Sequence, residues 1–227
     1  GVVGGDSEAD ILNKVCSDFK ITPRFIVEKK RPTTVKARVT SGRHQLLRID
    51  RETTSHLKSL TEREFIKTIS RLPSFDVVVI SDYAKGCLTK KVVSALKNRF
   101  KTTKIIVDLK PSQAHLYSDI FLITPNLKET RDLTGLDARG PSEAVKAAKL
   151  LSDRFSSSVI ITRGEYGLTL YDRSARKFTH IPSRALHIFD VTGAGDTVVA
   201  LVALMIASGQ DFKTSASLSN LAAGLVV

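Results

Sequence analysis

An α/β fold built on a mostly parallel sheet is predicted by three features of the sequence. Short, nearly continuous β-branched runs recur along the chain: DVVVISD (76–82), KIIVDL (104–109), FLITPN (121–126) and SVIITRG (158–164). Amphipathic stretches of helical period separate them, the arrangement a parallel sheet covered on both faces requires. The composition, 42% hydrophobic and 26% charged over 227 residues, suits one main core with room for a small appendage.

Taken in order, the elements begin with strand-like segments RFIVEKK (24–30), TTVKARVTS (33–41) and HQLLRID (44–50), the last two joined by a Ser-Gly-Arg turn. These predict a small antiparallel sheet. Thr61 followed by Glu64 has the spacing of a capping box and predicts a helix start. After the strand at 76–82 come a helix over 89–100, the strands at 104–109 and 121–126, a helix opened by Pro141-Ser142-Glu143, and the strand at 158–164. LTLYDR (168–173) and KFTHIPS (177–183) alternate apolar and polar residues around Ser174-Ala175, as an antiparallel hairpin at a sheet edge does. HIFDVT (187–192) reads as a strand and TVVALVALMIASG (197–209) as a core helix.

Several function classes are disfavoured. The longest apolar run, Val198 to Ala207, is about half of the roughly 20 residues that cross a bilayer, so no membrane association is expected. Cys16 and Cys87 lie far apart without CxxC or Cys/His spacing, which argues against a metal site or a disulfide framework and fits a reducing cytoplasm. The five histidines form no cluster. The net charge of +12 attracts phosphorylated metabolites, nucleic acid or acidic head groups alike. Its lysines and arginines are scattered without aromatic interleaving, so specific nucleic-acid binding is not expected. The chain opens on Gly1 and stops within the helical pattern LAAGLVV, and both ends of a larger domain are expected to lie outside it.

Chemistry concentrates at DVTGAGD (190–196), where a strand-like run gives way to a helix. Gly193, Ala194 and Gly195 place free backbone N–H groups at a helix start with no bulky side chain to block an anion. Asp196 then has two readings of equal standing. It caps the helix at N-cap or N1, worth ~1 kcal/mol, or it takes a proton from an attacking hydroxyl while the amides hold a transferring phosphoryl group. Walker A and complete GxGxxG patterns are absent.

DVTGAGDT (190–197) resembles the C-terminal signature of the ribokinase-like (PfkB) sugar kinases. PTTVKARVTSGRHQLLRID (32–50), SDYAKG (81–86), VDLKP (107–111), ITPNLKE (123–129) and TRGEYG (162–167) follow the order and approximate spacing of the branch that acts on heptose 7-phosphate. The resemblance runs from GVVGGDSEAD at the start to NLAAGLVV at the end. It implies a three-layer α/β/α core over 1–227, with a small antiparallel β lid at about 24–50 and the family's first strands lying before Gly1.

It also implies ATP as phosphoryl donor, Mg²⁺, and transfer to the anomeric hydroxyl of the sugar. The family's base falls on Asp196 and its anion hole on Gly193, Ala194 and Gly195. The N-x-x-E element falls on Asn126, Leu127, Lys128 and Glu129, touching the nucleotide phosphates, with Glu129 meeting the metal through water. Read without the family, Asn126 and Glu129 are turn and helix-start residues after a strand broken by Pro125. Thr162, Arg163 and Gly164 fall on the nucleotide, although Gly164 and Gly167 also suit a hairpin, and Asn220 falls near the adenine. Asp190 would orient the turn.

On the acceptor side the resemblance implicates Asp82, Lys85, Lys36, Arg38 and Gln45. Lys85 equally suits a solvated lysine, and the alternation at 36–50 equally presents a polar face to water. Lids of this kind pair in homodimers, and a nucleotidyltransferase, fused or separate, is the implied partner activity. Leu109 departs from the family's proline. Rival expectations are another PfkB kinase with a ribose, fructose or nucleoside acceptor, and a non-catalytic basic relative that binds nucleic acid or a protein.

Overall fold

The computed structural model describes residues 1–42, 44–183 and 193–225. The predicted strand at 187–192 and Asp190 lie outside the described residues, as does Arg43 of the Ser-Gly-Arg turn. The chain forms two compact units, residues 1–72 with 84–99, and residues 73–83 with 100–227.

In the first unit, β1 (Val2–Val3) pairs in parallel with β2 (Ile26–Val27), and β3 (Val35–Ser41) pairs antiparallel with β4 (His44–Arg51). The antiparallel ribbon is thus two-stranded. RFIVEKK does not join it, because only Ile26 and Val27 are extended in register and Ile26 turns inward against β1 at 4% exposure. An unpredicted helix, α1 (Ser7–Asp18), begins where the Asp6 side chain accepts from the Ala9 N–H. The helix α2 (Ser59–Ser70) starts two residues before the predicted cap Thr61; its N-cap is Lys58, which makes no side-chain cap bond. Thr61 is buried in the helix, and buried Leu57, bonded to the Gly86 carbonyl, sets the chain's entry instead. The helix α3 (Lys90–Arg99) packs on α2. Buried Arg31 ties the unit together, donating to the carbonyls of Lys85 and Ser55.

The second unit holds β5 (Val77–Ser81), β6 (Lys104–Asp108), β7 (Leu122–Ile123), β8 (Ser158–Thr162), β9 (Leu168–Asp172) and β10 (Lys177–Ile181) in one sheet ordered β10-β9-β8-β7-β6-β5. Pairing is parallel from β5 to β8 and antiparallel through β9 to the edge strand β10. Its helices are α4 (Leu127–Thr134), α5 (Pro141–Phe155), α6 (Ala194–Ala207) and α7 (Phe212–Ala223).

Successive strand residues face opposite sides of the sheet. Ile106, Leu122, Ile160, Leu168 and Leu170 pack with Val198, Val202 and Ile206 of α6 and Ala216 of α7. Their alternates on β8, Val159 and Ile161, are fully buried on the side where α5 covers β8 and β9. Each such aliphatic side chain contributes ~1.5–3 kcal/mol by leaving water. The α/β/α layering follows from both faces being apolar. Although α6 is apolar all round in sequence, it buries one face only; Leu204 is 60% exposed. Leu109, where the family carries proline, is fully buried and so serves packing.

Candidate active site

The parallel strands β5 to β8 end on one edge of the sheet, the edge where open α/β sheets take ligands. The helix α6 starts with Gly193 as N-cap, at φ +87° and ψ −11°, a left-handed conformation that favours glycine. The helices α1, α4 and α7 are capped by the side chains of Asp6, Asn126 and Asp211, whereas Gly193 has no side chain to spend on the first-turn amides of α6. Among the described residues, a Cβ built on Gly193 or Gly195 would meet nothing within 4 Å. A helix start of this kind is an anion cradle.

Asp196 is the third residue of α6, so it is neither N-cap nor N1 as the capping reading required. Its exposed carboxylate instead accepts from the Tyr83 hydroxyl, at 3.0 Å to Oδ1 and 3.2 Å to Oδ2. Burial, and then the Asp196 carboxylate, raise the Tyr83 phenol above its ordinary value, so Tyr83 remains a donor at neutral pH. The Lys110 ammonium lies 5.8 Å from the centre of the Tyr83 ring and forms an ion pair with Glu129. At the end of β6, half-buried Asp108 has its pKa pushed up to about 6, first by burial and then by Glu129, with Asp196 and Asp82 adding and Lys110 opposing. Asp82 itself is 3% exposed and accepts a 2.6 Å bond from the buried Tyr117 hydroxyl.

A cavity of about 450 Å³ opens beside the α6 terminus. Eight of the residues predicted at a nucleotide or anion site line it: Asn126, Leu127, Lys128, Thr162, Gly164, Ala194, Gly195 and Asn220. Leu168, Val198 and Ala223 supply an apolar wall. A lining that combines polar and aliphatic groups suits a ligand that carries both charged and apolar parts. Asn220 donates to the Pro182 carbonyl at 2.8 Å, which fixes its amide at the rim.

Two predicted cavity residues serve elsewhere. Arg163 is 4% exposed, and its guanidinium donates to the carbonyls of Arg139 and Tyr166, 2.8 Å each, so it braces the loop after β8 and is not part of the cavity wall. Glu129 is 5% exposed and completes a capping box with Asn126: Glu129 N donates to Asn126 Oδ1 at 2.9 Å, and Asn126 N donates to Glu129 Oε2 at 3.0 Å. With Oε1 held by Lys110, it is a structural centre behind the cavity. Among the described residues no three His, Cys, Asp or Glu side chains group as a metal site. The hairpin reading of the glycines also has a physical basis. Gly167 sits at φ +79°, and a Cβ there would lie 2.0 Å from the Ile181 carbonyl oxygen.

The residues predicted on the acceptor side fall in different places. Lys85 and Lys36 belong to the first unit and meet on Glu52, which accepts from both ammonium groups. Lys36 also pairs with Asp50 at 3.2 Å. Arg38 and Gln45 stand exposed on the β3–β4 ribbon, on opposite strands. Asp82 is in the second unit, its carboxylate turned to Tyr117. Sequence reasoning missed Tyr83, Asp108, Lys110, Tyr117 and Glu52. Three of them sit inside SDYAKG and VDLKP, directly after a strand, and that position was the available signal.

Comparison with known proteins bears on the fold and the family. The chain is 37% identical over 232 residues to the protein named bifunctional protein HldE of Azorhizobium caulinodans, and 39% identical over 235 residues to that of Gluconobacter oxydans. Each match takes in 100% of this chain and 48% of the relative, so the chain spans about half the length of these curated relatives. Among solved structures, phosphofructokinase-2 from Escherichia coli in complex with fructose-6-phosphate superimposes with a TM-score of 0.80 at 19% identity, over 100% of this chain and 75% of that one. Arabidopsis thaliana ribokinase complexed with ribose and ATP gives 0.76 at 17% identity, over 99% and 73%. These similarities establish the ribokinase-like fold. The chain belongs to the pfkB family of carbohydrate kinases, whose sequence pattern it matches over residues 1–227.

Proposed function

We propose that this chain transfers the γ-phosphoryl group of ATP to the anomeric hydroxyl of D-glycero-β-D-manno-heptose 7-phosphate, giving the 1,7-bisphosphate and ADP. The observation that carries the reading is the Asp196 carboxylate in the first turn of a helix whose N-cap glycine makes no side-chain cap bond, beside a cavity lined by Asn126, Thr162 and Asn220. The nucleotide's base would lie against Leu168, Val198 and Ala223, and its phosphates would extend toward the amides of 193–195. As the acceptor oxygen bonds to the γ-phosphorus and the bridging oxygen leaves with ADP, Asp196 takes the hydroxyl proton and the amides stabilise charge on the phosphoryl oxygens.

Mg²⁺ bound with the nucleotide supplies neutralisation of phosphate charge. Glu129, which the resemblance places at the metal through water, would turn there a carboxylate released from Lys110.

The heptose acceptor is supported by the resemblance of SDYAKG and the ribbon sequence, and by relatives named HldE. By this reading acceptor recognition falls to Lys36, Arg38, Gln45 and Lys85, and the β3–β4 ribbon is the lid of a single kinase domain. Leu46, Leu47 and Ile49 are each more than half exposed on that ribbon, which supports pairing of two copies there. The relatives are bifunctional by name and about twice as long, which supports a nucleotidyltransferase as companion activity. No helix among the described residues is long and apolar enough to cross a membrane, and the cytoplasm is the proposed location.

The test is Asp196→Asn in the complete protein. Turnover should fall at least ~10²-fold with ATP affinity little changed, as for a lost general base. Undiminished turnover would refute the assignment.

A further inference from the structure

We propose that Tyr83 is a positioning residue for Asp196, holding its carboxylate toward the acceptor and away from the amides of its own helix; this rests on the kinase reading above. Asp196 occupies the third position of α6, the position from which a carboxylate reaches back to the N-cap amide in a capping box, as Glu129 does in α4. Such a contact at α6 would set a negative charge in the cradle where the phosphoryl group must come. The Tyr83 hydroxyl prevents it by donating to both carboxylate oxygens, at 3.0 and 3.2 Å, across 113 residues of sequence. Among the described residues, no other hydrogen bond to that carboxylate is found.

Tyr83 is itself held firmly. It follows Asp82, whose backbone N–H bonds the Asp108 carbonyl at 2.8 Å and whose carboxylate takes the Tyr117 hydroxyl. Lys110 lies over its ring, anchored by Glu129, which is locked in the capping box of α4. A carboxylate offers about four lone-pair sites, so accepting from Tyr83 leaves room for the acceptor hydroxyl. The phenol is 48% exposed and its ring contacts are with protein, which distinguishes it from a residue buried purely for packing.

The experiment is a double-mutant cycle in the complete protein, with ATP and heptose 7-phosphate as substrates: Tyr83→Phe, Asp196→Asn and the pair. Tyr83→Phe should lower kcat roughly tenfold, the order expected for losing a hydrogen bond to a charged group, with both KM values within about twofold. In the Asp196→Asn background it should change nothing further. A readout independent of activity is the titration of ring-labelled Tyr83 by NMR, which should move downward in Asp196→Asn because the neighbouring negative charge is gone.

Unchanged kcat in Tyr83→Phe, a rise in KM with kcat retained, or an equal fall in the Asp196→Asn background would each overturn the proposal. The last two would make Tyr83 a substrate contact or an independent contributor. If Asp196→Asn alone keeps full turnover, the base assignment fails first and the positioning role falls with it. If Asp196→Asn is impaired and Tyr83→Phe is not, only the positioning role is lost.

Discussion

Asp108 holds a negative charge where the fold penalises it, and replacing it with asparagine isolates that penalty. Burial and the carboxylates of Glu129, Asp196 and Asp82 push its pKa from the ordinary 3.8 to about 6, against the pull of Lys110. The folded protein therefore binds this proton more tightly than the unfolded chain does. Where the native state binds more protons, stability falls as pH rises. The loss from this group begins near pH 4, is complete a little above pH 6, and is absent below pH 4. A difference of about two pH units corresponds to roughly 3 kcal/mol as an upper bound. Because the side chain is only half-buried, solvent screening reduces this to about 1–2 kcal/mol. Asp108→Asn keeps the shape and removes the charge. Urea denaturation should show the variant about 1–2 kcal/mol more stable than the parent at pH 8 and equal to it at pH 4. The same difference at both pH values would show that the gain has nothing to do with ionisation. A variant less stable at pH 8 would show that attraction to Lys110 outweighs burial, contrary to the reasoning.

Two further outcomes follow from the loops around the cavity. Gly167→Ala forces a side chain into a left-handed position and against the Ile181 carbonyl oxygen, so it should cost at least about 2 kcal/mol and lower the melting temperature by about 4–8 °C; an unchanged melt would deny the strain. Asn126→Ala removes the N-cap of α4 and should cost ~1 kcal/mol, about 2–4 °C in calorimetry, together with weaker ATP binding. Asn126→Asp should recover the stability but not the binding, since it keeps the cap while adding a negative charge to the cavity; parallel recovery of both would remove Asn126 from the phosphate site.

The sheet was legible because its strands are uniformly apolar and β-branched: the runs at 76–82, 104–109 and 158–164 need no tertiary information to be recognised, and the hairpin at 168–183 announces itself by alternation. RFIVEKK was misread because its partner, Val2–Val3, is two residues long and lies far upstream, so no local pattern marks the parallel pair. Thr61 was misread because a cap and a buried threonine look alike in sequence, and the Leu57 anchor depends on Gly86, 29 positions on. Of the residues expected at the site from backbone geometry, Asn126, Thr162, Ala194 and Gly195 line one cavity and Gly193 is the N-cap of α6. Arg163 was placed at the nucleotide with Thr162 and Gly164 by the family resemblance, yet its buried guanidinium donates to the carbonyls of Arg139 and Tyr166. Tyr83, Asp108 and Lys110 became visible only once β5 and β6 were seen side by side, since their partners are distant in sequence.

From β5 to β10 each strand of the large sheet lies next to the one made just before it. A ribosome releasing this chain from its N-terminus would thus deliver each of these six strands to an edge already waiting for it. Asp196 emerges after these six strands, so the carboxylate proposed as proton acceptor would meet strand ends that are already in place.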